Sequence, residues 1–473
     1  MSISLSRPGS SPSRGGRLEW LPIAGLSLAI LAAPATGQSP SLSWPHPAEA
    51  PVRGAVPQAI RQALEHEPDG ALIAFYAGRG YRPLWIRGSR LDAGAKTLIA
   101  ALERSDRDDL DPKTYEPDAL RTLVSQARQG GPATLVRAEL ALSRALARYG
   151  AELRTPAPAV RLDFSDAALQ PQSGDPRAVL EAAARSGSLT DYVSGLDDLN
   201  PIYARLRDGL AEALRPGSKG RWPIELIRAN LERARALPAQ FGSRYLLVDA
   251  PAQTLWFRDG DHEVGSMPVV VGKRSEPTPV MAGLVRYAVF HPYWNIPPDL
   301  VRDSVAPAVL RQGPSYLAAK RFEVLSDWSD KARVLAADEV DWDAVAAGRV
   351  KLRVRQTPGP SNMMGRVKFM FPNALGVYLH DTPLKSLFSA GERTFSSGCV
   401  RLQDANRLAH WLLPKDAADG PSDATPEQRV DLPQATPVYI VYLTLMPTAS
   451  GLRRYPDIYG RDPALISQLK RAT

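Results

Sequence analysis

The sequence predicts an α+β multidomain protein, with a mainly α N-terminal region followed by a mainly β domain that carries a partly helical insertion. Three observations predict this. Apolar residues recur at helical spacing through residues 57–238. Near Ser243 the pattern changes to short apolar runs separated by turn residues. From Pro297 to about Pro358 the chain again becomes charged and helix-like before strand patterns resume. The 473 residues suit two or three domains at roughly 150 residues each. A 44% hydrophobic content supplies packed cores and excludes wholesale disorder.

Residues 1–37 read as a signal peptide. Arg7, Arg14 and Arg17 precede a short apolar run, Leu21 to Ala35, and small residues follow at Ala33, Ala35 and Gly37. The run is shorter than the ~20 residues a membrane span requires, so membrane contact is expected only if this segment stays uncleaved. Its removal would lower the net charge from +8 to about +6. Lys and Arg are scattered without a basic-aromatic stripe, so nucleic acid is not an expected partner. Residues 38–56, rich in Pro, Ser and Ala, read as a linker.

Residues 57–238 form the helical domain. Leu135, Ala138, Leu142, Ala145, Leu146 and Tyr149 share one helix face. Ile224, Ile227 and Leu231 follow Trp222-Pro223, with Pro at the first turn. Phe75-Tyr76 to Trp85 is an aromatic packing corner, and the Pro-rich piece Thr155 to Pro176 interrupts the helices. Asp106, Asp108, Asp109 and Asp111 lack the Gly and distal Glu of a calcium loop and read as a solvated turn or helix cap.

Residues 239–447 form the β domain. Tyr245–Val248, Thr254–Phe257, Met267–Val271, Val285–Phe290, Val367–Phe369 and Val377–His380 read as strands, with a hairpin turn at Asp259-Gly260. The insertion covers about 299–357. Asp404 is placed as the N-cap of a helix, and Pro437 to Leu445 as the last strand. Residues 448–473 read as a C-terminal tail.

A single Cys excludes an intramolecular disulfide and any metal site with two or more thiolates, and six His leave little for a His-rich centre. Neither a metal nor another cofactor is expected. The cysteine gains interest from its surroundings. Cys399 lies in the turn Ser396-Ser397-Gly398-Cys399, flanked by Arg401, and His380 ends a strand nineteen residues earlier. A thiol with an ordinary pKa near 8.5 needs a base such as imidazole to become a nucleophile at neutral pH. Gly398 would let the backbone turn sharply, so that the amides of Gly398 and Cys399 could face a developing oxyanion. Arg401 could pair with a substrate carboxylate. Asp381, next to the base in sequence, reads as turn chemistry beside Thr382-Pro383.

These residues resemble the L,D-transpeptidase catalytic domain of the YkuD type, in which a His precedes a Ser/Thr-x-Gly-Cys-x-Arg/Asn block. Further stretches resemble the large Gram-negative type, which is YcbB-like and has a helical scaffold domain: Pro268–Lys273, Pro277-Thr278-Pro279, Phe290–Pro298, Gly359-Pro360, Asn362, Gly365–Phe369 and Phe371-Pro372-Asn373. Ser397 and His291 depart from the family pattern, and the usual wall-binding module is absent.

The resemblance implies a periplasmic enzyme acting on peptidoglycan stem peptides, with cell-wall synthesis proteins as candidate partners. Cys399 would attack the diaminopimelate–D-Ala bond of a tetrapeptide, and His380 would serve it as base and acid. The Asp381 main chain would orient the imidazole. Ser397 and Gly398 would shape the oxyanion site. Arg401, Ser396, Tyr378 and Asn362 would contact substrate. The insertion would act as a lid that excludes water, and the thioester would pass to the side-chain amine of a second stem. A carboxypeptidase or cross-link hydrolase using the same Cys-His pair, and a non-catalytic wall-binding scaffold, are the alternatives.

Overall fold

A computed structural model describes residues 54–171, 174–218, 221–421 and 425–472. The expected signal peptide and most of the linker lie outside these residues. Among the described residues, nine α-helices precede the β domain: α1 (Ala55–Leu64), α2 (Gly70–Gly78), α3 (Gly94–Leu102), α4 (Pro117–Ala127), α5 (Pro132–Arg154), α6 (Pro176–Arg185), α7 (Leu189–Ser194), α8 (Pro201–Ala213) and α9 (Ile224–Arg235). Five of them, α4, α5, α6, α8 and the short α2, start at a Pro in the first turn or an Asp or Asn cap, both of which suit the unpaired N–H groups there. The expected face of α5 is buried from Leu135 to Tyr149. Buried Glu139 on α5 accepts from the N–H groups of Leu84, Trp85 and Ile86 and from the Tyr76 hydroxyl. This explains why the aromatic corner sits where it does.

The main strands are β1 (Asp163–Phe164), β2 (Arg244–Asp249), β3 (Thr254–Asp259), β4 (His262–Gly272), β5 (Met281–Phe290), β6 (Val367–Met370), β7 (Leu379–His380), β8 (Val400–Leu402) and β9 (Gln428–Val441). They pair in the order β6-β7-β8-β4-β3-β2-β9-β5, and β5 pairs back onto β6, so the sheet closes on itself. Closure removes the exposed edges of a sheet. Along β2, Leu246 and Val248 point into the barrel core, whereas Tyr245 and Leu247 pack outward against α8 and α9. In β9, Val438 and Ile440 point inward, and Tyr439 and Val441 outward. These strands are buried on both faces, which accounts for their unbroken apolar runs.

Three expectations need correction. The Pro-rich interruption is not only a connector: β1 within it pairs in parallel with the start of β5. The chain after Leu445 is no loose tail. It forms a hairpin, Leu445–Thr448 with Gly451–Arg454, and then a helix, Asp462–Ala472, which packs on α9. The insertion combines helices, among them Ala306–Gln312, Ser315–Lys320 and Trp342–Ala346, with a small sheet in which Phe322–Leu325, Val334–Leu335 and Arg353–Gln356 join Trp294–Ile296 over a separate core that includes Val301, Val309, Trp342 and Val354.

The third correction concerns Asp108, which is not solvated. It is buried and accepts from Tyr203 at 3.0 Å and from Tyr149 at 3.4 Å. Its carbonyl accepts from Arg235 at 2.6 Å, and Arg235 also reaches Glu232 at 2.7 Å and the Leu153 carbonyl at 3.2 Å. A buried cation satisfied in this way leaves several orphaned acceptors when removed. Arg235→Met should therefore lower unfolding stability by about 3 kcal/mol in urea denaturation. A change within about 0.5 kcal/mol would mean that this knot does not hold α9 to the helical domain.

Candidate active site

Strands β7 and β8 run in parallel, with Leu379 opposite Val400 and His380 opposite Arg401. Alternate residues of a strand share a face. Tyr378 and His380 therefore lie on one face with Cys399 and Arg401, while Leu379 and Val400 fill the barrel core from the other. Thus Cys399 stands diagonally across from His380. The Tyr378 ring meets the His380 ring edge-on at 6.1 Å.

His380 is buried, and its Nδ1 lies 2.5 Å from the Asp381 carbonyl. A carbonyl can only accept, so that nitrogen carries the proton and Nε2 is the free basic position. The Asp381 carboxylate faces elsewhere. It accepts from the Arg366 N–H at 2.9 Å and from Lys385 Nζ at 2.7 Å, which fixes the turn after β7. Burial, and after it the Arg401 cation, pushes the His380 imidazole down to about 4. Burial pushes the Cys399 thiol up, offset in part by the Tyr378 N–H and Arg401. Both groups are consequently neutral near pH 7, and the thiol lies 3.7 Å from the Gly376 carbonyl. This resting state differs from a preformed thiolate–imidazolium pair, because a dry site penalises separated charge.

The turn before Cys399 is held internally. The Ser396 hydroxyl donates to the Cys399 carbonyl at 2.5 Å and accepts from the Gly398 N–H at 3.2 Å. Ser396 is thus a buried turn residue, and the Gly398 N–H is engaged within the turn. Gly398 adopts φ 108°, a conformation that favours glycine. Among the described residues the Cys399 N–H has no acceptor. Ser397 is exposed, with its hydroxyl beside Glu276. Arg401 Nε is buried without a hydrogen-bond partner.

Asn362 also departs from expectation. Its amide donates to the carbonyls of Pro292 (3.1 Å), Gln356 (3.2 Å) and Thr357 (3.0 Å), and its oxygen accepts from the Met364 N–H at 2.7 Å. It staples the entry of the insertion to its exit.

Sequence reasoning passed over Lys368, Glu427 and Thr278. Lys368 is the β6 partner of His380, and its Nζ lies 3.2 Å from Glu427. Glu427 also accepts from the Tyr293 N–H at 2.6 Å and borders a cleft of about 300 Å³ under the insertion with Arg353 and Arg355. Lys368 and Thr278 stand inside recognisable motifs, but Glu427 follows no pattern that would mark it.

The structure thus places Cys399 and His380 on adjoining segments of a closed β barrel that follows a helical domain. Residues 243–440 match the L,D-transpeptidase catalytic domain (YkuD), and residues 70–210 match the Scaffold domain. The chain therefore carries a YkuD-type L,D-transpeptidase catalytic domain preceded by a Scaffold domain. A putative L,D-transpeptidase of Haemophilus influenzae is 29% identical over 408 residues, which cover 83% of this chain and 78% of that protein.

Among solved structures, an L,D-transpeptidase from Mycobacterium smegmatis is similar at 16% identity and a TM-score of 0.20, over 42% of this chain and 58% of that one. An L,D-transpeptidase in complex with imipenem is similar at 16% identity and a TM-score of 0.21, over 42% of this chain and 59% of that one. The chain thus spans less than two thirds of either solved chain.

The neutral resting pair sets a pH dependence. Alkylation of Cys399 by iodoacetamide should stay slow between roughly pH 6 and pH 8 and climb only above the ordinary thiol range. A rate that is already high and flat across that window would reveal a preformed ion pair. His380, with its pKa lowered on folding, should cost stability as pH falls from about 6.5 towards 4, because the unfolded chain binds the proton first.

Proposed function

We propose that this protein is an exported peptidoglycan L,D-transpeptidase in which Cys399 is the nucleophile and His380 the general base and acid. The observation that carries this reading is the shared face of Tyr378, His380, Cys399 and Arg401 on two parallel strands. The match of residues 243–440 to the L,D-transpeptidase catalytic domain and the likeness to a putative L,D-transpeptidase support it. Among the described residues no helix is long and apolar enough to cross a membrane.

A donor carboxylate would pair with Arg401, whose Nε lacks a partner. Burial holds His380 down first and the Arg401 cation second; that pairing would offset the second cause and let the imidazole gain some proton affinity. His380 Nε2 would then take the thiol proton as Sγ attacks the carbonyl carbon of the third stem residue. The resulting oxyanion would be met by the Cys399 N–H. Collapse breaks the bond to the terminal D-Ala, and its amine leaves with the proton from His380. The side-chain amine of a second stem would attack the thioester and give its proton to His380. The cross-link would form as Cys399 is released as thiol. The insertion would limit water at the thioester, so that the amine prevails.

Incubating the protein with tetrapeptide muropeptides and weighing the products tests this. Cross-linked dimers are expected, and trimmed tripeptides alone would mean that water resolves the thioester. Cys399→Ala should abolish product and any covalent adduct with imipenem. Unchanged wall binding together with no product from the wild type would favour a non-catalytic role. Arg401→Gln should raise the donor KM by about tenfold or more, the scale of one charge-assisted contact.

A further inference from the structure

We infer that Tyr459, which lies beyond the matched catalytic domain, is a positioning residue that fixes the peptide unit between Gly398 and Cys399 through Thr278. The inference rests on the reading of Cys399 as the acyl-accepting nucleophile.

The connection consists of four hydrogen bonds. The Tyr459 hydroxyl donates to the Gly272 carbonyl at 2.8 Å and accepts from the Thr278 N–H at 3.2 Å. The Thr278 hydroxyl accepts from the Gly272 N–H at 2.8 Å and donates to the Gly398 carbonyl at 2.8 Å. Thr278 is buried. Gly272 lets the loop approach: a Cβ there would stand 2.2 Å from the Glu276 carbonyl oxygen and 2.6 Å from the Thr278 nitrogen.

The consequence follows from peptide geometry. In a trans peptide the C=O and the next N–H point in opposite directions. Holding the Gly398 carbonyl on Thr278 therefore aims the Cys399 N–H to the far side of the plane, where it finds no acceptor among the described residues. The Ser396 hydroxyl bonds the Gly398 N–H and the Cys399 carbonyl on either side of this peptide unit, and Thr278 holds the unit's own carbonyl, with Gly398 at φ 108°, a conformation that favours glycine. A free N–H beside the nucleophile is the donor that an acyl-transfer oxyanion requires.

Tyr459 is itself held rigidly. Its ring stacks on Tyr442 with centroids 5.4 Å apart, and its N–H donates to the Tyr442 hydroxyl at 2.8 Å. Tyr442 donates to Asp457 at 2.5 Å, and Asp457 also accepts from the N–H groups of Arg461 and Asp462. The C-terminal segment is therefore a fixed brace from which the Tyr459 hydroxyl projects.

The test compares two reactions of the same sulfur in the full chain. Acylation by a tetrapeptide donor passes through an oxyanion, whereas alkylation by iodoacetamide does not. Tyr459→Phe keeps the ring stack and removes only the hydroxyl. It should slow acylation by about tenfold, with the donor KM shifted by less than about twofold and alkylation unchanged. Thr278→Val should slow acylation by about a hundredfold, and Thr278→Ser, which keeps the hydroxyl, should restore most of the rate. Should Thr278→Val fail to fold, Tyr459→Phe decides alone.

Acylation of Tyr459→Phe at the wild-type rate overturns the inference. So does an equal fall in acylation and alkylation, which would signal a general loss of structure. A wild-type protein that is alkylated but never acylated overturns the transpeptidase reading, and the positioning role falls with it.

Discussion

The site depends on a parallel pairing only two residues long, Leu379–His380 against Val400–Leu402. A parallel ladder of this length is not stable alone, and it joins segments separated by a loop whose ends must be brought together. The closed barrel makes it persist. Strand β6 grips β7 from one side and β4 grips β8 from the other, so neither short strand is an edge. Leu379, Val400 and Leu402 anchor them in the core with no exposure. The opposite face is then free to carry Tyr378, His380, Cys399 and Arg401 in fixed order.

That same burial sets the electrostatics. An imidazole pushed down to about 4 beside a thiol pushed up cannot hold an ion pair at rest. The arrangement leaves Arg401 as the principal cation of the site, with one nitrogen unanswered. Charge is therefore missing at the place where a substrate carboxylate would supply it. A resting thiol also resists the oxidation that a thiolate invites. Reactivity would then come from the bound substrate rather than from the free protein.

The Cys turn, the His at a strand end and most barrel strands were legible in the sequence, because apolar alternation and the Gly-Cys context are local signals. So was the buried face of α5, whose helical spacing survives intact. What escaped depends on distant partners. Asp108 sits among charged neighbours and looks solvated, yet Tyr203 and Arg235 reach it from helices about a hundred residues later. Asn362 stands in a motif and suggested substrate contact, but its amide joins two chain segments that only the fold brings together. Strand β1 has two residues and no pattern of its own. The C-terminal hairpin and helix carry apolar runs too short to mark them, and their order comes from distant partners, Arg233 with Asp462 and the core that buries Leu445 and Met446.

The division at residue 238 between helical scaffold and barrel follows composition rather than energetics. Tyr203, Leu206 and Leu210 of α8 and Leu226, Ile227 and Leu231 of α9 share one core with Phe241, Tyr245, Leu247, Tyr439 and Val441. Phe241, Tyr245 and Tyr439 form an aromatic cluster with centroids 4.9–6.1 Å apart. Each such side chain contributes about 1.5–3 kcal/mol when buried, so a barrel cut free there would expose several times the net stability margin of a single mutation. The helix Asp462–Ala472 adds a second tie, since Asp462 accepts from Arg233 of α9 at 2.7 Å and from Thr444 at 3.0 Å. The last two scaffold helices are thus the outer layer of the catalytic sheet. The C-terminal segment that braces the Cys399 turn is fastened to that layer rather than to the barrel alone.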